Sequence, residues 1–145
     1  MPIKLLFAAL AVFAGVAGAL QSAANAGLAQ KIGLGAALVM NTGIVLVLTL
    51  VVFVARGPHV DFYPSGTPWS LYIGGVCGFI VVFTLAVVFP AIGAALAIAL
   101  LVLGQSVAAL VIDHYGLMGM APNPVTFSRL VGLALVAGGV AVLRL

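Results

Sequence analysis

From Phe62 to Ile112 the chain contains no Asp, Glu, Lys or Arg. As one α-helix that segment would reach about 75 Å, more than twice the ~30 Å hydrocarbon layer of a bilayer. It must therefore fold back, and in a medium that asks for no surface charge. Composition names the medium: of 145 residues 66% are hydrophobic and 5% charged, against about 25% charged in a soluble domain. The fold class expected is an all-α integral membrane protein.

Five spans are expected in a single transmembrane domain over 1–145, at about 3–28, 32–55, 69–89, 91–113 and 125–145. Each apolar run is near the ~20 residues that cross a bilayer as helix. GLAQKIG reads as the first turn, and RGPHVDFYPSGTP, with its prolines and glycines, as the long polar connection. Trp69 after it stands at the level of an aromatic belt. Within the charge-free stretch, FPAIG supplies the break, since Pro90 cannot continue the hydrogen-bond ladder and Gly93 allows a tight return. The opening MPIKLLFAALAVFAGVAGALQSAANA has the Lys, apolar run and small residues of a signal peptide. Its apolar run is nearer a full span than the ~7–15 residues of a signal core, and it reads as the first span.

With five spans the termini lie on opposite sides. Lys4, Arg56 and Arg129 then share one face, and Lys31 and Arg144 the other. Orientation follows the excess of basic residues on the cytoplasmic side, and so slight an excess is compatible with insertion both ways round. Five short helices enclose a solute pathway poorly. A chain of this kind can build the two-fold symmetry of inverted-repeat transporters by pairing with an oppositely inserted copy. The scattered basic residues make no nucleic-acid patch. Lone Cys77 excludes an intrachain disulfide and reads as a small core residue.

Lipid is as apolar as leucine, so helices associate through close backbone approach and a few hydrogen bonds. Ala11, Gly15 and Ala19, then Gly74 and Gly78, and Gly132, Gly138 and Gly139 offer such approaches. The polar positions inside the spans matter more. Gln21 and Asn25 share one face of the first helix, Asn41 and Thr42 sit in the middle of the second, and Gln105 and Ser106 in the deeper half of the fourth. An unpaired amide in hydrocarbon costs roughly 2–7 kcal/mol, so each must face a partner, a water or a solute. Gln21, Asn25 and Gln105 serve equally well as interhelical glue or as cavity lining. Asn41 reads more as glue. Ser22, Thr42 and Ser106 can bond their own helix carbonyls.

No carboxylate or histidine sits mid-span, where an ion-coupled transporter commonly keeps one. Asp113 and His114 fall at a span end and read as the place where the fourth helix leaves the membrane. A carboxylate there opposes the helix dipole, and Arg129 at the start of the fifth helix is the partner able to offset it. Catalytic constellations, phosphate loops and metal-ligand sets are missing; His59 and Asp61 alone do not make a zinc site. No enzyme, cofactor or metal is expected.

The Gln21/Asn25 pair, PWSLYIGGVCG, FPAIGAAL, GQSVAALVIDHYGLMG and RLVGLALVAGGV together resemble the YdcZ-like family of five-helix proteins in the drug/metabolite transporter superfamily. The resemblance implies a bacterial inner-membrane protein related to the small multidrug resistance exporters. It also implies an antiparallel assembly of ten helices, made by one dual-topology chain or by two oppositely oriented paralogues. The first helix lacks the glutamate of the small multidrug resistance proteins, which weighs against proton-coupled export of cationic drugs. The reading is a transporter for a small polar or amphipathic solute, with Gln21, Asn25, Asn41 and Gln105 lining its cavity. Its rival is a non-transporting subunit that packs with a partner membrane protein.

Overall fold

The computed structural model describes residues 2–57 and 65–143. His59, Asp61 and Arg144 lie outside the described residues. Those described form five α-helices and no strand: α1 (Pro2–Ile32), α2 (Leu34–Arg56), α3 (Gly74–Ile92), α4 (Ala94–Tyr115) and α5 (Phe127–Leu143). A short 3₁₀ segment, Trp69–Ile73, leads into α3. The first four helical segments are long and apolar enough to cross a membrane. The described part of α5 has 17 residues, or about 26 Å at ~1.5 Å per residue.

The outer faces are those of a membrane protein. Phe13, Val39, Val54 and Leu135 are each 71–72% exposed. No aqueous surface tolerates so continuous an apolar cover.

The helices change direction at single glycines, each the last residue of an expected turn segment. α1 runs on through Gly27 and Lys31, so GLAQKIG is helical, and only Gly33 leaves the helix, at φ 86° and ψ 151°. Its N–H still donates to the Ala29 carbonyl at 2.9 Å, and its own carbonyl accepts from the Ala37 N–H at 3.1 Å. One residue thus closes one helix and opens the next. Likewise Pro90 is inside α3 and the break falls at Gly93, φ 82° and ψ 155°. Proline's fixed φ suits a helix and costs it one N–H. What ends α3 is the positive φ, which glycine adopts without steric penalty.

These two breaks are one device used twice. Ile32-Gly33 and Ile92-Gly93 are sixty residues apart, and at both the N–H four residues on, of Ala37 or Ala97, donates back to the glycine carbonyl. The buried pairs Asn25/Leu85, Ala26/Ala86 and Ala37/Ala97 keep the same spacing.

The chain divides into two compact units, 1–90 and 91–145. In the first, α1 packs on α2; in the second, α4 packs on α5. Near the Gly33 joint Ser22, Ala26, Ala37 and Leu38 are buried, and the first three are small enough to let two backbones approach. The glycine rows do not serve this purpose. A Cβ placed at Gly15, Gly74, Gly78, Gly132, Gly138 or Gly139 meets nothing within 4 Å. Alanine supplies the same closeness while keeping helix propensity, which glycine loses by about 1 kcal/mol. Cys77 is also exposed; with lipid outside, a small apolar thiol gains nothing from facing inward.

Candidate functional site

Gln21 and Asn25 are one helical turn apart on α1, and the backbone break at Gly33 brings α2 alongside them. Asn25 precedes Gly33 by as many residues as Asn41 follows it, eight, so both lie about 12 Å from the turn. Gln21 is one turn deeper, about 18 Å from it, in the middle of a ~30 Å hydrocarbon layer. There its Nε2 donates to Asn41 Oδ1 at 3.2 Å. Ser22, beside it, donates to the Gly18 carbonyl at 2.8 Å and is thereby satisfied within its own helix.

Asn25 is different. It is only 7% exposed, and its amide has no hydrogen-bond partner among the described residues. Yet no fully enclosed side-chain polar atom there is left unpaired. The Asn25 amide must therefore reach an opening between helices. Together with the free Gln21 carbonyl and Asn41 amino group it makes a strip of donors and acceptors that stays neutral at every pH.

Gln105 stands twelve residues into α4 from Gly93, about 18 Å along the helix. It is exposed and makes no hydrogen bond among the described residues. Ser106 donates to the Val102 carbonyl at 2.7 Å. Gln105 is thus an unsatisfied amide at mid-span, the condition that lipid penalises most.

Asp113, His114 and Arg129 come together at the α4–α5 junction. Arg129 Nη1 donates to Asp113 Oδ2 at 3.2 Å and to the Asn123 carbonyl at 3.3 Å. Asn123 N–H donates to the Asp113 carbonyl at 2.7 Å, and Val125 N–H to His114 Nδ1 at 3.3 Å. Gly116, at φ 60°, closes α4; a Cβ there would lie 2.8 Å from Pro122 Cγ. The two charges sit at the wrong ends of their own helices, Asp113 near the C-terminus of α4 and Arg129 near the N-terminus of α5. Each opposes its helix dipole and is offset by the other. Above Ser106 the two helices part into an open groove of about 280 Å³, lined by Ser106, Ala109, Leu110, Asp113, Arg129, Gly132, Leu133 and Val136.

Two contributors escaped the reading of the sequence. Asn123 stands between Pro122 and Pro124, so in PNP it has the one backbone N–H able to tie the loop to α4. Ala37 is the other, signalled by the repeated Ile-Gly followed by Ala four residues on.

The family model DMT_YdcZ, described as "Putative inner membrane exporter, YdcZ", matches residues 6–142. No curated protein and no solved structure matches. The match takes in α1 through almost all of α5, with the Gln21–Asn41 strip, both glycine breaks and the Asp113–Arg129 junction inside it, and the chain is a multi-pass inner-membrane protein that belongs to the YdcZ family.

Proposed function

We propose that the protein exports a small polar or amphipathic solute as an antiparallel dimer of the drug/metabolite transporter superfamily. Gln21, Asn25, Asn41 and Gln105 of each copy line its pathway. One observation carries the reading: Asn25 is only 7% exposed as a residue, yet its amide has no hydrogen-bond partner among the described residues and is not fully enclosed. A helix keeps such a group where water or a solute pairs with it. The exposed, unpaired Gln105 of α4 poses the same demand.

The strip offers hydrogen bonds and no charge, so it suits an uncharged or zwitterionic solute better than a lone cation. Alternating access comes from rocking the two copies about an in-plane two-fold axis. The near-balanced basic residues, three against two, support insertion in both orientations.

The Gln21–Asn41 bond favours a second reading, in which the amides are glue in a non-transporting subunit. Reconstitution separates the two. Proteoliposomes loaded with a panel of polar metabolites show flux that Asn25→Leu and Gln105→Leu abolish if the amides meet solute. Absent flux, with both variants silent in cells, sinks the exporter.

A further inference from the structure

The groove between α4 and α5 is apolar along its length and polar at one end only. Ser106 at its deep end has its hydroxyl occupied by the Val102 carbonyl, so it adds no polar demand there. Seven residues further along α4, about 10 Å away, stands Asp113. On α5 the same interval separates Val136 from Arg129. The two charges close the groove where the helices leave the hydrocarbon: Asp113 is two residues from the end of α4, and Arg129 two from the start of α5.

The ion pair uses half of what it has. A guanidinium carries five N–H donors, and only Nη1 of Arg129 is engaged, with Asp113 and Asn123. Nε and Nη2 have no partner among the described residues, nor has Asp113 Oδ1. The side chains are 31% and 41% exposed and both line the groove, so the pair is open to a ligand there. A hydrogen-bonding cation and an oxyanion, held a few ångströms apart and joined to an apolar tail, complement this arrangement.

We propose that the groove seats one phosphatidylethanolamine-type phospholipid. Its phosphate accepts from the free face of Arg129, its ammonium donates to Asp113 Oδ1, and an acyl chain lies over Gly132 and Leu133. Arginine's planar fork fits phosphate oxygens. The ammonium matters as a donor, which a choline headgroup is not. An anionic glycerol headgroup brings only the phosphate and meets repulsion from Asp113. This lipid seat uses none of the four amides and stands whether or not the chain exports a solute.

The test titrates the purified full-length protein in detergent with phosphatidylethanolamine, phosphatidylcholine and phosphatidylglycerol of identical chains, reading bound lipid by native mass spectrometry. Phosphatidylethanolamine is expected to bind about fivefold or more tighter than either rival, the effect of roughly one charge-assisted hydrogen bond. Gly132→Leu fills the groove floor without a clash, since a Cβ there meets nothing within 4 Å. It removes the preference while helicity and oligomeric state stay those of the wild type. Asp113→Asn moves the preference toward phosphatidylglycerol. Equal or tighter binding of phosphatidylglycerol by the wild type overturns the proposal. So does a Gly132→Leu protein that binds phosphatidylethanolamine normally, or a groove that retains no lipid because a second copy covers it.

Discussion

Arg129 Nη1 lies 3.2 Å from Asp113 Oδ2 and 3.3 Å from the Asn123 carbonyl, while the Asn123 N–H reaches the Asp113 carbonyl at 2.7 Å. Three residues from three different segments thus hold one another. Because its side chains are 31% and 41% exposed, the pair's direct coupling should be modest, about 0.5–1 kcal/mol. A double-mutant cycle over Asp113→Asn and Arg129→Gln, read from unfolding in mixed micelles, measures it. Additive losses would mean that the pair contributes no coupling of its own.

The same loop stores opposite expectations for two neighbouring positions. Gly116→Ala places a Cβ 2.8 Å from Pro122 at φ 60° and should cost about 2 kcal/mol or more, strain and clash together. Met118 holds φ 56° with a side chain. Met118→Gly should therefore be neutral or gain up to about 1 kcal/mol. Thermal melts of the two variants, run side by side, check the sign of each.

Gln21 and Asn41 share one hydrogen bond; Asn25 and Gln105 have no side-chain partner among the described residues. Gln21→Leu should thus lose about 0.6 kcal/mol, the usual worth of an interhelical bond in a bilayer, with the Gln21→Leu/Asn41→Leu pair recovering part of it. Asn25→Leu and Gln105→Leu should leave stability unchanged or raised, and strike transport alone. A stability loss at Asn25 as large as that at Gln21 would place its amide in a structural bond instead.

The glycine breaks allow a clean comparison. Gly33 and Gly93 share a positive φ, and nothing lies within 4 Å of a Cβ at either. Alanine at each should cost only backbone strain, on the order of 1 kcal/mol, and by the same amount at both sites. Unequal costs, measured by unfolding of the two single variants, would show that the breaks carry different loads.

Orientation gives a further expectation. With three basic residues against two, removing one from the poorer side should settle the contest. Lys31→Ala is expected to leave a single topology. Labelling of cysteines introduced at each terminus, in a Cys77→Ala background, reads the populations. Mixed labelling that persists unchanged in Lys31→Ala would detach orientation from the basic count.

Much of this was legible in the residues because hydrocarbon enforces it. A bilayer tolerates no unpaired backbone, so long apolar runs had to be helices, and α1 to α4 fall where hydropathy puts them. The breaks were harder. Pro90 is the louder residue, yet it fits within the last turn of α3, and Gly93 turns the chain because only its φ changes sign. The glycine rows are open within the chain for a related reason: a small side chain permits close approach without compelling it, and it is Ala26 and Ala37 that are buried. Asn41 bonds Gln21, but no pattern in a single helix tells which face of Gln21 meets it. The 3₁₀ entry at Trp69 carried no periodic signal at all.

Gly33 and Gly93 each join two helices with a single residue. A joint of one residue leaves almost no free backbone between the two helices it connects, so a protease, a modifying enzyme or a partner finds nothing there to engage but the helices themselves.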